Sequence, residues 1–269
     1  MRVPFVKMHG LGNDFIVLDA RETALPPMRE DMARRLADRR TGIGCDQLIL
    51  LEATDAADFR MRIYNHDGGE VEACGNATRA VAVLHGSDAS IETAGGMLRA
   101  SPTAVGASVD MGEPRFDWAA IPLAYAMDTL SMPLGWEELE APAAVNVGNP
   151  HAVFFVADTA GIDLERLGPQ VEHDPVFPAR VNVNVATVID RATIALRVWE
   201  RGVGETRACG TGACATAIAA MRRGLTDRQV TVRLAGGDLA IAWGADNRIT
   251  MAGPATESFR GTFQWEDFA

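Results

Sequence analysis

Ala73-Cys74-Gly75-Asn76 and its echo Ala208-Cys209-Gly210-Thr211 decide how this chain is read. Each opens a run of small apolar residues, Ala77 to Leu84 and Ala213 to Met221, that predicts the first turns of a buried helix. Each is preceded by a Gly-Glu pair, Gly69-Glu70 and Gly204-Glu205. Working outward, Met61-Arg62-Ile63-Tyr64-Asn65 matches Leu196-Arg197-Val198-Trp199-Glu200 at the same offset of 135 residues. Gly12-Asn13 meets Gly148-Asn149 at 136, and Ala94-Gly95-Gly96 meets Ala235-Gly236-Gly237 at 141. Matches in one order with small drifts are the signature of a tandem duplication whose loops have gained and lost residues.

Strand-rich runs fill each copy. Phe15-Ile16-Val17-Leu18, Leu48-Ile49-Leu50-Leu51 and Phe59 to Tyr64 read as strands. An amphipathic helix is predicted over about residues 29–39, with Gly42 as its C-terminal glycine cap. A helix that is apolar all round must be enclosed. The fold expected is therefore mixed α/β (α+β), two pseudo-symmetric domains, each a mostly antiparallel sheet wrapped around a central helix. Residues 1–117 would form the N-terminal half, with the tail 255–269 packing back on it, and residues 118–254 the C-terminal half. The stretch from Asp117 to Pro142 is read as the linker plus the first strand of the second copy.

Composition narrows the function. Of 269 residues, 48% are hydrophobic and 23% charged, an ordinary globular balance. A net charge of −11 argues against nucleic acid or an anionic membrane as partner, while leaving room for a small anionic ligand. No apolar run approaches a membrane span, and the apolar start breaks at His9-Gly10 before signal-peptide length. A cytoplasmic location is the expectation. Cys45, Cys74, Cys209 and Cys214 are too few for a disulfide scaffold and lack zinc-knuckle spacing, so no metal is expected. Lys7 is the sole lysine, in a strand-like context that ill suits the Schiff-base role a pyridoxal cofactor requires. No cofactor is expected.

A thiol at a helix N-terminus feels the positive end of the backbone dipole, which lowers its pKa from roughly 8.5 into a range of about 3.5 to 7.5. The free amides at Gly75-Asn76 and Gly210-Thr211 can cradle a carboxylate. Two such turns would hold an α-carboxylate with one sulfur on each face of the adjoining carbon. Inverting a stereocentre by proton transfer needs that arrangement, a base on one face and an acid on the other. Inherited packing is the competing explanation of the two turns. Against it stand polar residues odd for a core: Asn13, Asn65, Asp67, Glu70, Asn76, Asn149, Glu200, Arg201, Glu205 and Thr211. Cys45 and Cys214 are read as packing. His151 either polarises a nearby thiol or acid, or is a satisfied structural histidine.

At these residues the sequence resembles the diaminopimelate epimerases, along the whole chain. The resemblance is carried by residues 7–15 (Lys7 to Phe15), Gly42-Ile43-Gly44-Cys45-Asp46-Gln47, Tyr64-Asn65-His66-Asp67-Gly68 and Glu72 to Asn76. It continues through Val147 to His151, Arg180-Val181-Asn182 and Glu200 to Gly212, with departures at Cys45, His66, Gly69 and Asn184. It implies cofactor-independent interconversion of LL- and meso-diaminopimelate, in lysine and peptidoglycan precursor synthesis, by two α/β halves across a cleft in a homodimer. Cys74 and Cys209 would be the acid/base thiols. Gly75, Asn76, Gly210 and Thr211 would hold the reacting carboxylate, and Asn13, Gln47, Asn65, Asn149, Asn182, Glu200 and Arg201 would recognise the substrate. Arg grips carboxylate and Glu accepts from ammonium, which suits a zwitterion. His151 and Glu200 would tune thiol pKa. A proline or hydroxyproline racemase also uses two cysteines but needs no grip on a second amino-acid group. A non-catalytic amino-acid-binding protein and a thiol redox sensor are the readings from other classes.

Overall fold

The computed structural model of the chain describes residues 1–72 and 74–269; Ala73, in the first Cys-Gly motif, lies outside the described residues. The chain divides into two compact units, Met1–Asp110 with Ala252–Ala269, and Met111–Met251. The first contains β1 (Arg2–Gly10), β2 (Asn13–Ala20), α1 (Glu30–Ala37), β3 (Gln47–Glu52), β4 (Phe59–Asn65), β5 (Glu70–Val71), α2 (Gly75–His85), β6 (Ala89–Thr93), β7 (Gly96–Thr103) and β8 (Gly106–Asp110). The second contains β9 (Gly135–Trp136), β10 (Leu139–Glu140), β11 (Ala143–Asn146), β12 (Pro150–Phe155), α3 (Leu164–Glu172), β13 (Asn182–Asp190), β14 (Thr193–Glu200), β15 (Gly204–Thr206), α4 (Gly210–Arg222), β16 (Gln229–Leu234) and β17 (Gly237–Trp243). β18 (Ile249–Gly253) leads back to the first unit, which β19 (Thr256–Gln264) completes.

In the first unit the pairings run β19-β1-β2-β3-β4-β6-β7-β8. They are antiparallel except at β2–β3 and β4–β6, the two places where a helix, α1 or α2, intervenes in sequence. A parallel pair requires such a crossover. α2 lies against β1, β2 and β19 near one end of this sheet and against β7 and β8 at the other. A sheet whose two ends touch one helix is curled around it. Ile16, Leu18, Leu48 and Leu50 pack on the opposite side with Met32, Ala33 and Leu36 of α1. Their alternates Val17, Ile49 and Leu51 are just as buried, which is why β3 reads as an unbroken apolar run rather than an alternating one.

The second unit repeats this order as β11-β12-β13-β14-β16-β17, parallel at β12–β13 and β14–β16 across α3 and α4. α4 lies against every strand of that run. The duplication extends to register. Ile63 opposes Val71 and Tyr64 opposes Glu70, and 135 residues on Val198 opposes Thr206 and Trp199 opposes Glu205. Both hairpins carry the same two-pronged ion pair, Arg62 on Glu70 at 2.8 and 2.8 Å and Arg197 on Glu205 at 2.8 and 2.9 Å.

Two local expectations need correction. α1 ends at Ala37 and Asp38 leaves it in an extended conformation, so Gly42 is no helix cap. Gly42 is small for another reason: a Cβ there would lie 2.2 Å from the Arg35 carbonyl oxygen and 2.6 Å from that of Leu36. The loop needs that approach because Ile43 and Gly44 donate their amides to Leu36 and Cys45 to Ala37, satisfying the helix's last carbonyls. The stretch from Asp117 to Pro142 holds the separate β9–β10 hairpin, while the sheet's first strand starts at Ala143. Ile121, Leu123 and Met132 from this stretch join Leu164, Leu167 and Val171 of α3 in covering the second sheet.

Candidate functional site

Cys74 and Cys209 are the N-cap residues of α2 and α4, both with extended backbone (φ −148°, ψ 112° and φ −130°, ψ 110°). An N-cap residue of that conformation leaves the next amides unpaired within the helix. At Cys209 one is used internally: Gly212 N donates to the Sγ at 3.4 Å, and Thr211 Oγ1 lies 3.5 Å from the same sulfur. Gly212 has no room for a side chain, since a Cβ would meet Asn184 Oδ1 at 2.8 Å and Val198 at 3.1 Å. Cys74 is half-buried, and its carbonyl accepts from both the amide and the hydroxyl of Thr78 at 2.9 Å.

The Cys209 thiol is pushed up, first by burial and then by the Glu200 carboxylate, against the Thr211 and Gly212 hydrogen bonds that favour the thiolate. The sequence expectation of a lowered thiol fails here. A helix terminus acts within its first turn and is modest in size, whereas near-complete removal from water beside an anion penalises a second negative charge heavily. In the substrate-free chain Cys209 is therefore a protonated thiol at neutral pH.

The predicted residues of the first unit fall into two bonded groups. Gly12, at φ +90°, sets the tight turn that delivers Asn13. Asn76 Nδ2 donates to Asn13 Oδ1 at 2.6 Å, and Asn13 Nδ2 reaches Asp46 Oδ2 at 3.4 Å. Gln47 Nε2 donates to Asn65 Oδ1 at 2.9 Å across the β3–β4 pair. Sequence reasoning missed Arg79, a fully buried guanidinium on α2. It donates to Asn76 Oδ1 at 2.7 Å and to the Gly75 carbonyl at 3.5 Å. The signal available was a lone arginine inside an apolar helix. Behind Asn13, Lys7 Nζ is 2.5 Å from Asp14 and also bonds the Gly44 carbonyl, and Arg39 bridges Asp14 and Asp46 at 2.6 and 2.7 Å. Burial works against the Asp14 charge, but Arg39 and Lys7 outweigh it and hold the carboxyl well below its usual range. Lys7 is thus committed to a buried ion pair.

In the second unit, the predicted residues sit at the equivalent places with different chemistry. His151 opposes Asn182 as Phe15 opposes Gln47. His151 Nδ1 lies 3.0 Å from the Asn184 amide nitrogen and Nε2 lies 2.9 Å from Asn149 Oδ1. Asn184 can only donate through that nitrogen, so the ring accepts at Nδ1 and donates from Nε2. Burial lowers the imidazole to about 3, with Arg201 acting in the same direction; His151 is a neutral clamp on Asn149. Asn182 donates to the Pro150 carbonyl at 2.9 Å and accepts from the Arg201 amide at 3.0 Å. Thr206 donates to Glu200 Oε1 at 2.5 Å, and Arg201 Nη1 donates to the Ala179 carbonyl at 2.9 Å. Cys45 and Cys214 are buried, and burial pushes the Cys45 thiol up to about 12. Among the described residues no group of three His, Cys, Asp or Glu is arranged to hold a metal ion. No helix of the described residues is long and apolar enough to cross a membrane.

Two units, each a sheet curled about one helix, define the class of fold. Solved structures of that fold include a phenazine biosynthesis protein of the PhzF family from Enterococcus faecalis, at TM-score 0.71 and 14% identity, covering 98% of this chain and 100% of that one. A probable proline racemase from Agrobacterium radiobacter aligns at TM-score 0.69 and 15% identity, over 97% of this chain and 93% of that one. Within that class the sequence is specific. The profile of the diaminopimelate epimerase family matches residues 5–117 and 143–257. A diaminopimelate epimerase from Erythrobacter litoralis is 68% identical over the full length of both chains, and one from Zymomonas mobilis is 53% identical, again over all of both. The chain belongs to the diaminopimelate epimerase family.

Proposed function

We propose that this chain is an isomerase that interconverts LL- and meso-2,6-diaminopimelate with two cysteine thiols and no cofactor. The observation that carries the reading is the duplicated N-cap cysteine, at the same place in both repeats of a chain with full-length diaminopimelate epimerase relatives. One sulfur, as thiolate, takes the Hα and leaves its electron pair on the carbon. The other, as thiol, delivers its proton to the opposite face and becomes the thiolate, so each turnover exchanges the two states. Cys209, whose thiol burial pushes up, donates the proton for one epimer and acts as the base for the other, with Cys74 in the complementary role each time. The amides at Gly75-Asn76 and Gly210-Thr211 hold the reacting carboxylate as charge builds on it. Asn13, Gln47, Asn65, Asn149, Asn182, Glu200 and Arg201 recognise the rest of the substrate, its charged distal end falling to Glu200 and Arg201. Glu200 also sets the acidity of Cys209, and neutral His151 aims Asn149. The two units act as the two halves of the enzyme, which works as a cytoplasmic homodimer in lysine and peptidoglycan precursor synthesis.

Proton NMR of LL-diaminopimelate in deuterated buffer, with reduced protein and proline as control, is the direct test. Deuterium is expected at Cα of diaminopimelate only. Replacing either thiol by alanine should cut exchange about 10²- to 10⁴-fold, the usual weight of one acid/base group. Undiminished exchange in the Cys74→Ala, Cys209→Ala double variant would end the two-thiol reading.

A further inference from the structure

The last residue of α3 is the acid Glu172, 2% exposed. Its place is unfavourable on two counts. The C-terminal end of a helix is the negative end of the backbone dipole, and an anion out of water is costly unless donors surround it. Donors do surround it. Trp199 Nε1 donates to Oε2 at 2.8 Å, Gly202 N donates to Oε1 at 2.9 Å, and Arg180 Nη1 lies 3.7 Å from Oε1. Trp199 and Gly202 bracket Glu200-Arg201 in sequence, one at the end of β14 and the other in the turn beyond it. α3 reaches this position because Gly168 has no side chain: a Cβ there would lie 2.5 Å from the Trp199 indole.

We infer that Glu172 is a positioning residue that fixes the Glu200-Arg201 dipeptide for recognition of the substrate's distal ammonium and carboxylate; this rests on the substrate reading above. Each amide of the turn is held. Asn182 takes the Arg201 amide, Glu172 takes the Gly202 amide, and Val203 N closes the turn on the Glu200 carbonyl at 3.0 Å. The first unit closes the equivalent turn identically, Gly68 N on the Asn65 carbonyl at 2.9 Å. There Gly68 backs directly onto the α1 backbone, a Cβ lying 2.1 Å from the Glu30 carbonyl oxygen. A turn carrying Asn65 is therefore braced by backbone packing, and a turn carrying Glu200 and Arg201 by a carboxylate. That carboxylate is a two-sided acceptor for Trp199 and Gly202, while the Glu200 side chain accepts from Thr206 and the Arg201 side chain donates to the Ala179 carbonyl. Gln at 172 keeps the shape but presents an NH₂ to one of two N–H donors, so one clamp must break.

The test is steady-state kinetics of Glu172→Gln on LL-diaminopimelate, with a double-mutant cycle against Arg201→Lys. KM should rise about tenfold while kcat falls by clearly less, the smaller kcat effect passing through Glu200, which acts on the Cys209 thiol. In the cycle the two KM effects should be markedly less than multiplicative, since Glu172 acts through Arg201. Trp199→Phe, which removes one donor and keeps an aromatic ring, should raise KM about threefold and serves if Glu172→Gln does not fold. An unchanged KM, a fall confined to kcat, or fully multiplicative KM effects would overturn the inference. Absence of diaminopimelate turnover in the unsubstituted protein would instead overturn the substrate reading, so the two failures are distinguishable.

Discussion

Residue 79 on α2 and residue 214 on α4 are the same position in two copies of one helix, and the chain has put a buried guanidinium at the first and a buried thiol at the second. The contrast continues outward from each helix start. In the first unit, a cation braces Asn76, and a chain of bonds runs from Asn76 through Asn13 to the Asp46, Arg39, Asp14 and Lys7 cluster. In the second, a neutral histidine and two asparagines do the bracing, and an anion, Glu200, stands near the sulfur. Duplication supplied matching helix starts and hairpin registers; side-chain charge at matched positions then gave the two thiols unlike surroundings.

The comparison can be broken most forcefully at its centre. Arg79→Met strands the Asn76 carbonyl oxygen in the interior and should cost about 3 kcal/mol in urea unfolding, toward the upper end for an unmet buried polar group. Cys214→Ala, at the matched position, should cost about 1 kcal/mol, the scale of a small buried truncation. Equal losses would mean that the charge at 79 has no special structural work.

A second probe imports one unit's residue into the other. His151 titrates near 3 when folded against 6.5 ordinarily, so between those values the unfolded chain binds the extra proton. Its contribution to stability is complete above pH 6.5 and is lost as pH falls toward 3, at up to about 1.4 kcal/mol per pH unit. His151→Phe, the residue the first unit carries at position 15, should remove that slope. Unfolding free energies of both proteins between pH 4 and 7 provide the check, and parallel curves would refute the assignment of a neutral His151.

The finest adjustment concerns the anion. Glu200→Gln removes a like charge beside Cys209, so the thiol becomes more acidic and its reaction with a small alkylating reagent at pH 8 should quicken about threefold or more. Mass mapping of the modified cysteine reads this out, with no change at Cys209 as the contrary result.

What could be seen in the sequence was whatever repeats or alternates. The 135-residue offset located both helix starts, and it holds residue for residue in the β4–β5 and β14–β15 registers. Strand runs such as Leu48 to Leu51 were legible because apolar burial on both faces leaves an unbroken pattern. The helix end at Ala37 was not, since Gly42 was chosen by contact with the Arg35 carbonyl and not by local conformation. Arg79, Glu172 and the raised Cys209 thiol were hidden for a shared reason. Whether a charge sits in water or under a sheet depends on partners far away in sequence, such as Asn13 for the Arg79-held Asn76 and Trp199 for Glu172. Helix-dipole reasoning is local, and at Cys209 it lost to burial.

The sole lysine is spent on the Asp14 ion pair inside the first unit, and the N-terminal amine is held by Glu266. With the remaining basic side chains all arginine, the surface offers acylating reagents no lysine amine. An activated ester should therefore leave the lysine of the native fold untouched and acylate it only once the Asp14 pair is broken by unfolding.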